Sequence, residues 1–266
     1  MNLLCLNLHC FQEDYRIKKL ELIGDYLVNK NIDVACFQEV AQLQHEEVLF
    51  DNVKPSNNIL YIRDFIKEKY GIIYHLNFTF CKHSFKILDE GVGILSKNEI
   101  ISHIDRCISN NCDIENWKTR RVGCYKTIID GIKYNFYSSH LGFFNDKDEP
   151  YEQQLRKLNE FVELNMSDDS IDLICGDFNL PSTADEYQLF NKYGFKDLYL
   201  TIDGNNNEDY TFLLGSQLEK ANQSQRIDYI FSKQNIIASE AKICFKEEIV
   251  SDHLGLHMKI KKTTNF

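Results

Sequence analysis

Proline is scarce, with three among 266 residues, and no linker, repeat or low-complexity tract interrupts the chain. A chain without such seams reads as one domain over residues 1–266, a length at which two-sheet α/β enzymes occur as single domains. No C-x-x-C pair occurs among the nine cysteines, and the count is odd. Both features argue against a zinc site or a disulfide framework. They predict reduced thiols, with Cys5, Cys36 and Cys175 packed as small hydrophobes on strands. No apolar run approaches the ~20 residues that span a bilayer. The N-terminal MNLLCLNLHCF lacks the basic region and small-residue cleavage site of a signal peptide. The expected location is cytoplasmic, with no membrane partner. Positive charge is in deficit as well: 30 Lys+Arg against 40 Asp+Glu leave a net −10. That field repels a polyanion such as DNA on average, so no nucleic-acid partner is expected. A small phosphorylated substrate held by a metal and one or two cations is compatible with it.

What is present alternates in period. LLCLNL is strand-like, and residues 15–30 place Ile17, Leu20, Ile23 and Leu27 at helical spacing. IDVACFQEV reads as a buried strand ending in Gln38-Glu39, and residues 56–69 put Ile59, Ile62 and Ile66 on one helical face. GVGILS, RVGCYKTIID, IKYNFYSSH and IDLICGDF then read as strands, with Asp130-Gly131 as a hairpin signal. A helix over 151–165 turns Leu155, Leu158, Phe161 and Val162 to the core. RIDYIF and LGLHMKI close the chain as strands, the second alternating Leu254, Leu256, Met258 and Ile260. This order suits an α/β fold with two sheets packed face to face and helices outside.

Strand after strand ends in a carboxylate, an amide or a histidine: Asn7, Glu39, His140, and Asp177 with Asn179. Asp228 lies inside RIDYI, and Asp252-His253 precede the last strand. Each has an ordinary alternative when taken singly: a strand-end amide, a loop acid, a core histidine, an ion pair of Asp228 with Arg226. Strand ends of a packed sandwich gather at one edge, where these groups can converge on a crevice. Burying them separately costs desolvation of each acid, and clustering them around a cation offsets that cost.

The ordered set N…QE…H…GDFN…RIDY…SDH resembles the endonuclease/exonuclease/phosphatase superfamily of magnesium-dependent phosphoesterases over essentially the whole chain. The resemblance implies a four-layer α/β sandwich, two mixed β-sheets flanked by helices as in deoxyribonuclease I. DEGVGILSK (89–97), NWKTRR (116–121) and HLGFFNDKDEP (140–150) are similar to the bacterial maltose 6'-phosphate phosphatases within it. Two departures from that subfamily are the pair Phe143-Phe144, where tryptophan is expected, and the tryptophan-free stretch 217–225 before RIDY. The resemblance implies a sugar phosphate, maltose 6'-phosphate, as substrate, and Mg²⁺ as cofactor, with Mn²⁺ as a substitute. A hard cation with oxygen ligands suits a dianionic ester with a poor leaving group. Glu39, Asn7 and Asp252 are the expected metal ligands. His253 is the base that activates the attacking water, and Asp228 fixes its tautomer. Asp177 orients the water or binds metal, and Asn179 donates to a phosphoryl oxygen. His140, oriented by Glu90, donates to another. Arg120 supplies a planar fork for the phosphate, and Trp117, Phe143 and Phe144 form a wall for a sugar ring. The same catalytic set would serve a metal-dependent phosphodiesterase, a nuclease or a sphingomyelinase-like enzyme. A non-catalytic module that kept the fold is the third alternative.

Overall fold

Residues 1–213 and 225–261 are described here by a computed structural model. The 217–225 stretch lies outside the described residues except for Gln225. In chain order the elements are β1 (Asn2–Asn7), α1 (Arg16–Asn29), β2 (Val34–Leu43), α2 (Asn58–Tyr70), β3 (His75–Ser84), β4 (Leu88–Ser96), β5 (Ile100–Cys107), β6 (Arg121–Ile129), β7 (Ile132–His140), α3 (Tyr151–Asn165), β8 (Ser170–Asp177), α4 (Gln188–Lys192), β9 (Lys196–Asp197), β10 (Asp228–Ser232), β11 (Ala238–Cys244) and β12 (Gly255–Ile260).

The strands form two six-stranded sheets, ordered β11-β12-β1-β2-β4-β3 and β5-β6-β7-β8-β10-β9. Each is mixed: β1 runs parallel to β2 and β7 parallel to β8, while the other pairs are antiparallel. Period-2 alternation splits the first sheet's side chains between two cores. Leu3, Cys5, Val34 and Cys36 meet Phe136, Leu173, Cys175 and Ile230 of the second sheet in the central layer. Leu4, Leu6 and Phe37 point the other way, onto Leu20, Ile23, Ile59 and Ile62 of α1 and α2. On the far side, Tyr137, Ile174 and Phe231 of the second sheet pack on Leu155, Leu158 and Val162 of α3. The result is the four-layer α/β sandwich of the deoxyribonuclease-I-like type.

Local chemistry sets the boundaries. The Asn57 side chain accepts from the N–H groups of Ile59 (3.0 Å) and Leu60 (3.2 Å) and starts α2, and Gly71 at φ 68 ends it. Asp130 and Gly131, at φ 52 and 81, make the two-residue turn between β6 and β7. Ile17 departs from the expected face of α1 and is 42 % exposed.

The thiols depart further. Cys107 and Cys112 form a disulfide, which corrects the expectation of wholly reduced cysteines. The other seven are buried and free, so the packing reading holds for Cys5, Cys36 and Cys175. Among the described residues no helix is long and apolar enough to cross a membrane.

Candidate active site

One edge of the sandwich, where β1, β7 and β8 end and β10 begins, carries the predicted polar set; β2 runs past Glu39 to Leu43, so that acid sits inside the strand and not at its expected end. The two sheets are tied just below it. Gln38, fully buried on β2, donates from Nε2 to Ser138 Oγ on β7 at 3.0 Å, and that hydroxyl donates to Phe37 O at 2.9 Å. Above this tie Asn7 at the end of β1 donates to Asp177 Oδ2 at 3.0 Å and to Glu39 Oε1 at 3.1 Å. Two carboxylates from different sheets thus share one amide.

Glu39 reaches this point through a β-bulge. The register of β2 against β4 slips between Phe37 and Val40, and Glu39 takes φ 47. Left-handed backbone in a non-glycine residue costs of order 1–2 kcal/mol and persists where the surroundings over-determine it. Asn179, at φ 48, makes the corresponding turn after β8. Gly176 precedes Asp177 because a Cβ there would meet the Ser139 carbonyl oxygen at 2.1 Å.

The two histidines are set apart electrostatically. His253 Nδ1 lies 2.9 Å from Asp228 Oδ2, and its Nε2 faces Asp177 Oδ2 across 3.7 Å. Burial opposes its protonation, but the charges of Asp228 and Asp177 outweigh burial and hold its pKa well above the usual imidazole value. Burial dominates at His140, with Arg120, Lys82 and His253 adding to it, and keeps that ring neutral. Burial likewise pushes Asp177 up to about 7, with Asp228 and Glu39 opposing its charge and His253 favouring it. The pKa of Glu39 is raised first by burial and then by Glu90 and Asp252. Carboxylates crowded until they resist ionisation lack positive charge. The ligand atoms of Glu39, Asp177 and His140 lie within 4.8 Å of one another. Hard oxygen donors, a carboxylate excess and an imidazole together fit a divalent cation.

Several predicted roles need correction. His140 is not oriented by Glu90. Its Nε2 lies 3.0 Å from Asn179 Nδ2 and 3.6 Å from Asp177, whereas Glu90 pairs with Lys82 Nζ at 2.6 Å. Burial raises the Glu90 pKa, but Lys82 and Arg120 outweigh it and hold that carboxyl below its usual range. Asn7 turns its nitrogen to the carboxylates, and its oxygen accepts from His9 N–H at 2.9 Å. Asp252 sits with His9 and Glu13 in a neighbouring cluster, 3.5 Å from His9 Nδ1. Arg226 forms its ion pair with Asp197 at 2.6 Å, which leaves Asp228 to His253.

Glu39, Glu90, His140, Asp177, Asn179, Asp252 and His253 line one cleft of about 600 Å³, with Asn7 and Asp228 behind them. Arg120 reaches it, and its Nη1 donates to the carbonyls of Trp117 (3.0 Å) and Thr119 (3.1 Å). Its buried Nε has no partner, an orphan donor suited to an anion. Trp117 and Phe143 line the cleft. Phe144 does not: it packs against the core beneath α3 and edges a separate pocket, in the turn closed by Asp146 N–H donating to Phe143 O at 3.1 Å. Sequence reading missed Lys82, His9 and the Phe85–Lys86 turn of the β3–β4 hairpin, all of which line the cleft. His9 stood two residues past Asn7 and was legible as one more polar strand end; an edge strand carrying a single lysine gives no such signal.

A metal-ready carboxylate cluster at one edge of a four-layer sandwich defines a class. Residues 4–253 match the Endonuclease/Exonuclease/phosphatase family, and the chain belongs to that family of hydrolases. Among solved structures, an endonuclease/exonuclease/phosphatase family protein from Leptotrichia buccalis superposes with TM-score 0.89 at 22 % identity, covering 98 % of this chain and 100 % of that one. D. rerio TDP2 complexed with a single-strand DNA product gives 0.72 at 16 % identity, covering 98 % and 99 %. The Bacteroides thetaiotaomicron mannosyl-6-phosphatase gives 0.68 at 15 %, covering 98 % and 100 %. These likenesses establish the fold. No curated protein sequence matches the chain significantly.

Proposed function

We propose that the protein is a cytoplasmic, Mg²⁺-dependent phosphomonoesterase that hydrolyses a sugar phosphate, with maltose 6'-phosphate cleaved to maltose and phosphate. One observation carries the reading: exposed Trp117 and Phe85 share a small cleft with the paired carboxylates, Arg120 and His253. An aromatic rim above an anion site matches a ligand that is sugar at one end and phosphate at the other. The mannosyl-6-phosphatase among the structural neighbours acts, by its name, on such a compound. The net −10 disfavours a long polyanion.

Glu39 and Asp177 would hold the cation, with Asn7 positioning the two carboxylates. When bound, the metal supplies positive charge for the phosphoryl oxygens and offsets the carboxylate field around His253. Asp228 holds the Nδ1–H of His253, leaving Nε2 beside Asp177, where both groups reach one water. His253 takes that water's proton as its oxygen attacks phosphorus in line. The ester bond breaks, the sugar oxygen leaves and takes a proton from solvent, His253 returns its proton to solvent, and inorganic phosphate remains. Arg120 binds the phosphoryl group with planar donors, and Asn179 holds the region of His140.

The test is phosphate release across disaccharide and hexose phosphates with Mg²⁺, beside nicking of supercoiled DNA. Release from sugar phosphates without nicking is expected. Nicking with no release would replace this reading by the phosphodiesterase one, which the TDP2 likeness represents.

A further inference from the structure

Trp117 lines two hollows. One is the catalytic cleft. The other, of about 660 Å³, is walled by Asn110, Asn111, Asn116, Lys118 and Glu149 and shares only Trp117 with the cleft. That volume falls within the range of small-ligand sites, about 300–1,000 Å³. Nothing in the hydrolytic chemistry above uses it.

Its wall is pre-organised. The Cys107–Cys112 disulfide closes the turn that carries Asn110 and Asn111. Glu149, 4 % exposed, accepts from the backbone N–H of Asn110 at 2.6 Å and of Asn111 at 3.0 Å. Lys118 Nζ lies 5.5 Å from the centre of the Trp117 ring and is itself fixed by Asp146 Oδ1 (2.9 Å) and Asp148 Oδ2 (2.7 Å). The indole stays 56 % exposed on this tethered loop.

The chemistry of the wall selects its ligand. The lysine of the wall is already paired with Asp146 and Asp148, and Glu149 adds a further negative charge, so a second phosphate is disfavoured. Three side-chain amides offer donors and acceptors to hydroxyl groups, and an exposed indole face offers an apolar surface to ring C–H groups. We infer that this pocket is a subsite for an uncharged sugar ring, the distal ring of a disaccharide whose phosphorylated ring occupies the catalytic cleft, with Trp117 shared between the two. The inference rests on the sugar-phosphate reading and gives the second ring of the disaccharide its place in the fold. A wall held rigid before binding loses little entropy on occupation.

Trp117 is the only tryptophan in the chain, so intrinsic fluorescence reports on it alone. Titrating the full-length protein with unphosphorylated maltose is expected to change that emission saturably, with glucose binding more weakly. Asn110→Ala, and Asn116→Ser with its turn-capping oxygen kept, should each weaken maltose about tenfold, the loss of one or two hydrogen bonds. The same variants should lower kcat/KM for a disaccharide phosphate about tenfold more than for a hexose 6-phosphate. Unchanged emission, or maltose affinity equal in native and variant proteins, would overturn the subsite. Saturable maltose binding without phosphate release from any sugar phosphate would support the subsite and reject the phosphatase.

Discussion

Asn7 Nδ2 lies 3.0 Å from Asp177 Oδ2, 170 positions apart in the chain. The first strand of one sheet and a central strand of the other thus end on the same hydrogen bond. That bond brings Glu39 and Asp177 to one point, and both carboxyls resist ionisation there. Asn7→Ala removes the shared donor while Leu6, Leu8 and the strand pairing persist. The expected result is weaker Mg²⁺ binding by about one order of magnitude, the scale of a lost ligand-orienting partner. Calorimetric titration of Mg²⁺ checks it, and unaltered affinity would remove Asn7 from the metal's support.

Asp228→Asn keeps the shape of its buried side chain but reverses what faces His253 Nδ1. The imidazole loses the charge that holds its tautomer. Turnover is expected to fall by about 10²–10⁴, with KM changed much less. Steady-state kinetics beside a thermal melt separates this from unfolding. A variant within twofold of native turnover would mean that the pair is structural.

The pH dependence of stability follows from the site. His253 and Asp177 have raised folded pKa values, Asp177 to about 7. Each binds more protons folded than unfolded in its window, so stability falls as pH rises through it. His140 works the other way, but only below the usual imidazole pKa, since its folded value is depressed. From the usual imidazole pKa upward, through the raised value of His253, the metal-free protein should therefore lose stability with rising pH. Added Mg²⁺ should flatten that slope by compensating the carboxylates. Melting curves in EDTA and in Mg²⁺ across this range show it; a metal-free slope of the opposite sign would contradict the charge assignment.

Ser138→Ala strips the hydroxyl that joins the sheets and leaves Gln38 Nε2 buried without an acceptor. The expected cost is about 1–3 kcal/mol, read from urea unfolding. A cost near zero would show that Gln38 finds another partner.

The Phe143-Phe144 pair separates substrate contact from packing. Phe143→Ala should raise KM for the sugar phosphate with little change in stability. Phe144→Ala should lower stability by about 1–3 kcal/mol, as truncation of a partly buried aromatic does, and leave KM near native. Exchanged outcomes would reverse the placement of the two rings.

The architecture was legible because long periodic segments carry their own evidence. Helix 151–165 and the strands around Cys36, Phe136 and Ile174 follow directly from apolar spacing. Edge elements were not: β3 (HLNFTFCKHS), β5 (IISHIDRC) and β11 (ASEAKIC) mix charged and polar residues among few apolar ones, and β9 is two residues long. At the site, residue types at strand ends located His253, Asp228, Asp177, Asn179, Glu39 and Asn7 at one edge, yet the sequence could not reveal their partners. Glu90 beside Lys82 depends on the bulge in the β3–β4 pair, and Asp252 beside His9 on two loops that meet outside any strand. The Cys107–Cys112 bridge spans a turn whose spacing matches no familiar pairing.

The most direct measurement is phosphate release from maltose 6'-phosphate by native protein and by His253→Ala, each in Mg²⁺ and in EDTA. Release in native protein with Mg²⁺ alone, reduced at least a thousandfold in the variant at equal melting temperature, is the expected result. Equal release in EDTA, or from His253→Ala, would contradict a metal-assisted reaction driven from this cleft.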